Sequence, residues 1–191
     1  MAHRSHPVPA LTGSHVVLRE PRDEDKAAWL AYGRDPEFVR LMGGDASEMR
    51  PLASEEVDEQ YRSLIDERWS WSVEYEGRFA GTAMLHSWEA RNRRIRYAIG
   101  IRDRNLWGMG IGTEITRMLL KFAFEFLAVH RVDLRVLEEN ARAVRCYEKC
   151  GFVVEGRERE GVQVGGAFKT DLMMSILEDE YRAAKASWPT A

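Results

Sequence analysis

Apolar positions along this chain recur with two different periods, and the changes of period mark its elements. His15 to Arg19 alternates around Val16 and Leu18, which predicts a first strand stopped by Pro21. Asp23 is placed to cap a helix running through Tyr32, with Trp29 and Leu30 on its apolar side. Gly43-Gly44 marks a loop, and Ser54 is placed to cap a second helix. There Val57, Tyr61, Leu64 and Ile65 fall at i, i+4, i+7 and i+8, an amphipathic stripe. The period then drops to two. Trp69 to Glu76 alternates through Trp69, Trp71, Val73 and Tyr75, and Glu76-Gly77 supplies a hairpin turn into Phe79 to His86. Ile95, Tyr97, Ile99 and Ile101 alternate again as a further strand.

From Gly112 to Ala128 the period is helical, with Ile115, Leu119, Phe122 and Phe126 on one face. Val132 to Leu137 reads as a strand, and Ala141 to Cys150 as a helix closed by Gly151 at its C′ position. Phe152 to Glu155 and Phe168 to Leu177 are two last strands, and Glu178 to Lys185 a terminal helix. No internal repeat and no linker divides this order. The expectation is one α/β (α+β) domain over residues 13–186. A mobile tail over residues 1–12 precedes it, because Pro7 and Pro9 interrupt a start with no apolar pattern.

Composition narrows the class. Of 191 residues, 45% are hydrophobic and 31% charged, which excludes a chain disordered throughout. Lysine and arginine total 28 against 31 acidic residues, a net charge of −3, so no global basic field would attract nucleic acid. Met1 to Ala10 contains His3, Arg4 and His6 but no apolar run, so a secretory signal is not expected. The most apolar stretch, Met118 to Val129, is interrupted by Lys121 and Glu125, well short of the roughly 20 residues that a membrane span needs. The two cysteines, Cys146 and Cys150, are too few for a disulfide framework or a zinc site. The expectation is a cytoplasmic protein with reduced thiols and no metal.

Candidate chemistry concentrates where the strand Ile95–Ile101 meets the long helix. Asn105-Leu106-Trp107-Gly108-Met109-Gly110-Ile111-Gly112 joins them. Three glycines let the backbone come close to a ligand. The helix that they open leaves its first N–H groups unpaired and carries partial positive charge, an anion site suited to a diphosphate. A dinucleotide fingerprint wants a third spacing, G-x-G-x-x-G, and an acidic residue about 20 positions on; position 113 is threonine here. The kinase-type P-loop, with its GK[ST], is absent.

A second motif follows at Asn140 to Phe152, N-A-R-A-V-R-C-Y-E-K-C-G-F. Together the two resemble the GNAT superfamily of N-acetyltransferases. Its acyl-CoA loop runs (Q/R)-x-x-G-x-(G/A) and its later segment N-x-x-A-x-x-x-Y-x-K-x-G-F. Asn105, Gly108 and Gly110 fall on the first; Asn140, Ala143, Tyr147, Lys149, Gly151 and Phe152 match the second. The likeness covers residues 14 to 177, and W-G-x-G-I-G-T-E with the late M-S-I-L-E-D-E-Y is similar to the RimJ/RimL-like branch. Two departures stand out. Asn105 replaces the usual glutamine or arginine, and Arg96 and Tyr97 stand where many relatives place a glutamate base.

The resemblance implies a GNAT-like mixed, mostly antiparallel central sheet flanked by helices, and acetyl-CoA as co-substrate. It implies cofactor contacts from Ile99, Gly100, Ile101, Asn105, Gly108, Met109, Gly110, Ile111, Gly112, Thr113 and Asn140. An amine would attack the thioester directly in a ternary complex, a backbone N–H of Ile99–Ile101 would hold the carbonyl oxygen, and Tyr147 would protonate the departing thiolate. Packing beside Phe152 is the alternative role for Tyr147, and helix capping that for Asn140. A water chain, His86 or Glu89 are the candidates to accept the ammonium proton. Cys146 reads as a packed residue, and Trp69, Trp71 and Trp88 as core or pocket wall. Glu55, Glu56, Asp58 and Glu59 either draw a cationic amine or favour their helix dipole as a solvated N-terminus. The acceptor would be a small-molecule amine or a protein N-terminus, with neither nucleic acid nor membrane as partner; a homodimer is compatible with the sequence. The alternative function is a catalytically inactive acyl-CoA-binding sensor.

Overall fold

The computed structural model describes residues 7–46 and 50–188. Strands β1 (Leu11–Thr12) and β2 (Val16–Arg19) lead into helices α1 (Asp25–Tyr32), α2 (Pro36–Leu41) and α3 (Ser54–Asp66). Strands β3 (Trp69–Tyr75), β4 (Arg78–Glu89) and β5 (Arg94–Ile101) follow, then helix α4 (Ile111–Lys121). After it come β6 (Arg131–Leu137), α5 (Ala141–Lys149), β7 (Val153–Val164), β8 (Ala167–Leu177) and α6 (Glu178–Ala186). The strands form one eight-stranded sheet in the order β1-β2-β3-β4-β5-β6-β8-β7. Every adjacent pair is antiparallel except β5 with β6. This is the mixed, mostly antiparallel architecture that the sequence resemblance implies.

Period-two alternation divides the sheet residues between two layers. Ile95 and Tyr97 point toward α4, where the Tyr97 hydroxyl shares a 2.9 Å hydrogen bond with Thr116. The opposite face carries α1 to α3, whose Trp29, Val57 and Leu64 enclose Phe79 in a second small core. The main core lies under α4 and α5, with Trp71, Leu85, Ile95, Ile115 and Leu119 fully buried.

Several local expectations change. The tail expected over residues 1–12 does not extend so far: Val8 is buried, the Pro9 carbonyl accepts a 2.9 Å bond from the Trp71 indole, and Leu11–Thr12 pairs with β2. His3 and His6 lie outside the described residues. Helix α1 starts after Glu24 rather than at an Asp23 cap. Asp25 in its first turn is buried and forks onto Arg19 at 2.7 and 2.9 Å. Helix α3 starts after Ala53, whose N–H donates to Glu56 at 3.1 Å, so Ser54 is its first residue and not its cap. Helix α2 was not anticipated; Asp35 caps it by accepting from the Phe38 N–H at 2.8 Å. The long helix widens at Phe122–Phe126 into a π turn, which leaves Phe126 67% exposed instead of core-facing.

Candidate active site

Strands β5 and β6 run together for only three residue pairs, Arg94 with Arg131, Ile95 with Val132 and Arg96 with Asp133. Beyond Asp133, β6 stays in register with β8 while β5 stays with β4, so the two strands fork. Tyr97 to Ile101 therefore keep a hydrogen-bonded neighbour on one side only. A cavity of about 410 Å³ opens in the fork and passes from one face of the sheet to the other. On the α4–α5 face its wall contains Gly108, Gly110, Gly112, Thr113, Asn140 and Tyr147. On the opposite face it contains Phe38, Leu41 and Met42 of α2.

The loop from β5 to α4 is built to deliver backbone. Asp103 accepts from the Asn105 N–H at 3.0 Å, which starts a short 3-10 turn over Arg104–Leu106. The Trp107 indole then ties the loop back by donating to the Ile101 carbonyl at 2.8 Å. Gly108 and Gly110 hold φ of +82° and +85°, a left-handed conformation that side chains disfavour, and a Cβ at either would touch nothing within 4 Å. Gly110 caps α4, so the unpaired N–H groups of its first turn sit at the cavity wall. Arg142, Arg145 and Lys149 of α5 add positive charge there, and Arg142 stacks on Trp107 with its guanidinium 3.9 Å from the ring centroid.

Helix α5 is capped as its motif implies: the Asn140 side chain accepts from the Ala143 N–H at 3.2 Å. Asn140 also lines the cavity, so both of its expected roles fit its position. Tyr147 is 8% exposed and stands edge-on to Tyr97, and it also packs against Phe152 at 5.8 Å between ring centroids. Burial, with Cys146 and Cys150 adding to it, pushes the Tyr147 phenol well above its ordinary range and keeps it protonated. The Cys146 sulfur lies 3.4 Å from the Thr113 hydroxyl on the same wall. Hydrogen bonding by the Cys150 thiol and by Thr113 lowers the Cys146 thiol against the opposing effect of burial.

Of the expected cofactor contacts, Ile99, Gly100, Ile101, Gly108, Gly110, Gly112, Thr113 and Asn140 line the cavity. Asn105, Met109 and Ile111 do not. Asn105 is spent on the 3-10 turn, Met109 points outward at 58% exposure, and Ile111 is buried in the main core. The proton-acceptor candidates lie elsewhere. His86 sits opposite Arg96 at the closed end of the fork, bonded to Ser87, and Glu89 is paired with Arg94. Glu56 is held by Ala53, Arg34 and Arg50, and Asp58 by Lys26, so this acidic cluster serves its own helix. Trp69 and Trp71 pack on Phe122, while Trp88 is exposed. The cations of α5 were overlooked, although their i, i+3, i+7 spacing places them on one face. Among the described residues no aspartate or glutamate lines the cavity and no group of three metal-ligating side chains exists.

A forked sheet with a glycine-capped helix N-terminus at the fork defines an acyl-CoA-dependent acyltransferase class. The Acetyltransferase (GNAT) domain model matches residues 15–153, and the chain belongs to that family. It is accordingly an acetyl-CoA-dependent N-acetyltransferase, with acetyl-CoA as co-substrate. In keeping with the RimJ/RimL-like likeness, it is 26% identical over 187 residues to YdaF of Bacillus subtilis, named provisionally as a ribosomal N-acetyltransferase. That match covers 90% of this chain and 96% of YdaF. Spermidine N(1)-acetyltransferase of Escherichia coli K12 is 27% identical over 157 residues, 78% of this chain and 84% of that one. Among solved structures, an acetyltransferase from T. thermophilus superposes with a TM-score of 0.78 at 27% identity, covering 94% and 95% of the two chains. The Vibrio cholerae spermidine N-acetyltransferase, solved with CoA and spermine, shares the fold with a TM-score of 0.75 at 24% identity over 89% and 99% of the chains.

Proposed function

We propose that the protein transfers the acetyl group of acetyl-CoA to a primary amine by direct attack within a ternary complex, using one catalytic domain over residues 13–186. The observation that carries this reading is the single cavity that crosses the sheet at the fork, with Tyr147 in its wall. A diphosphate fits the Gly108–Gly112 turn and the N-terminus of α4, where open space and backbone donors coincide. Arg142, Arg145 and Lys149 supply charge for further phosphate oxygens. An amide-bearing chain laid along Tyr97–Ile101 meets the backbone groups that β6 leaves unpaired.

The acetyl thioester supplies an activated carbonyl, and the chain's own groups do the rest. An unpaired N–H of the Ile99–Ile101 segment stabilises charge that develops on the carbonyl oxygen. Tyr147, kept protonated by burial, gives its proton to the departing sulfur. With no carboxylate on the described wall, water carries the ammonium proton away. The free thiols of Cys146 and Cys150 suit a reducing cytoplasm, and no described helix is long and apolar enough to cross a membrane.

Calorimetry with CoA, followed by thiol release from acetyl-CoA across a panel of amines, tests the proposal. Binding together with turnover supports it. Binding with no turnover for any amine would favour the non-catalytic sensor, for which the relatives give no support, and absence of binding would overturn both.

A further inference from the structure

The acceptor must reach the fork from the face opposite the glycine turn, because that turn and α5 occupy the other mouth. What lines this entrance is apolar. A side chain at Gly100 would meet the Phe38 ring at 3.2 Å and Met42 at 3.9 Å, so α2 lies directly over the strand that holds the thioester in the reading above. Leu41 completes the patch.

The charges around it are of one sign. Arg135 of β6 is the charged wall residue on this face. Behind Phe38 lies Arg102, its guanidinium 4.9 Å from that ring and 4.4 Å from Trp29, with only the Gln60 amide oxygen accepting from it at 3.3 Å. Burial pulls Arg102 down to about 10, so it remains a cation at neutral pH. The nearby carboxylates are already engaged: Glu37 by Arg40 at 2.9 and 3.0 Å, Glu158 by Arg135 at 2.6 Å, and Asp35 by Arg104 at 3.1 Å. Asp171, which stands opposite Glu158 in the β7–β8 register, is raised by burial and does not line the cavity.

We infer that the acceptor is a primary amine bearing one uncharged apolar substituent, aryl or branched alkyl, and that Phe38, Leu41 and Met42 select it over polyamines. This rests on the ternary-complex reading. A second ammonium on the acceptor would face Arg135 and Arg102 with no free carboxylate on the described wall to receive it, and like charges in a confined site repel strongly. An apolar group instead gains by leaving water against the Phe38 ring. Discrimination of this kind uses repulsion as well as fit.

The test compares 2-phenylethylamine and isoamylamine with spermidine and putrescine, after CoA binding has been established by calorimetry. We expect kcat/KM for 2-phenylethylamine to exceed that for spermidine at least tenfold. Met42 is 55% exposed, so Met42→Glu keeps the fold. It should raise kcat/KM for spermidine and lower that for 2-phenylethylamine, with KM for acetyl-CoA unchanged. Phe38→Ala should raise KM for 2-phenylethylamine about tenfold. Equal or better use of spermidine by the wild type overturns the inference and leaves the acetyltransfer reading intact. Turnover of none of the four amines, with CoA bound, also overturns it. Loss of CoA binding itself would instead strike the reading on which it rests.

Discussion

The ring of Tyr97 meets that of Tyr147 edge to face, with centroids 6.1 Å apart and planes at 89°. Tyr97 is itself anchored through its hydroxyl to Thr116 of α4. Strand β5 and helix α4 thus fix the Tyr147 ring from the side opposite Phe152. Replacing Tyr147 by phenylalanine removes the hydroxyl and leaves these ring contacts. On the proposed role, kcat should fall by roughly 100-fold, the low end for a positioned acid, with KM for acetyl-CoA nearly constant. Steady-state kinetics under conditions where chemistry limits turnover measures this, and an unchanged kcat would leave Tyr147 a packing residue.

Gly110→Asp tests the glycine turn. A Cβ there meets no atom within 4 Å, so the fold should survive, at a cost of about 1–2 kcal/mol for an L-residue held at positive φ. The added carboxylate opposes a diphosphate at the same spot. Calorimetry should show loss of CoA binding while the circular dichroism spectrum is retained; wild-type affinity would place the diphosphate elsewhere.

The lowered Cys146 thiol implies a thiolate fraction at neutral pH that an ordinary cysteine, near pKa 8.5, lacks. Alkylation by iodoacetamide should therefore rise with pH and level off below pH 8. Acetyl-CoA should slow it, because the sulfur lines the cavity. Mass spectrometry locates the adduct. A rate that keeps climbing through pH 9, or one indifferent to acetyl-CoA, would contradict this picture.

Asp25 ties the start of α1 to the sheet. Burial pushes its carboxyl up, but hydrogen bonds from Arg19, the Arg22 N–H and Ser72 outweigh that and leave it lowered. A lowered carboxylate stabilises the fold fully above its unfolded pKa of about 3.9, and loses that contribution as pH falls through the folded value. Asp25→Ala should cost about 3 kcal/mol at pH 7, the low end for breaking a buried pair, because Arg19 keeps Glu74 at 2.6 Å. Urea midpoints at pH 7 and pH 3 should converge between wild type and variant as the pH drops.

Sequence periodicity revealed most elements that surround the fork, because Ile95–Ile101 and Ala141–Cys150 each bury one regular face. The misses have local causes. Helix α2 has only six residues and buries none of them fully, so no stripe announces it, although Asp35-Pro36 is a cap-and-first-turn signal. The far half of β7, through Arg157, Glu158 and Glu160, is an edge strand with polar residues on both faces and shows no alternation. The π turn breaks a helical count that was correct up to Phe122. At the site, the glycine turn was legible because its chemistry is local. The apolar wall of α2 was not, since only the folded sheet brings Phe38 over Gly100, 62 residues later in the chain.

The fork also gives the sheet an edge in the middle of the protein. Interior edges are costly, because each buried backbone donor or acceptor without a partner forfeits about 1–3 kcal/mol. An amide-bearing ligand seated along Tyr97–Ile101 would act as a further strand, and folding and binding would then be one linked equilibrium. Saturation at a hundred times the dissociation constant would add about 2.7 kcal/mol to the native state. The molecule's melting temperature would thereby report the acyl-donor level of its surroundings, and its lifetime against proteolysis would follow cellular acetyl-CoA.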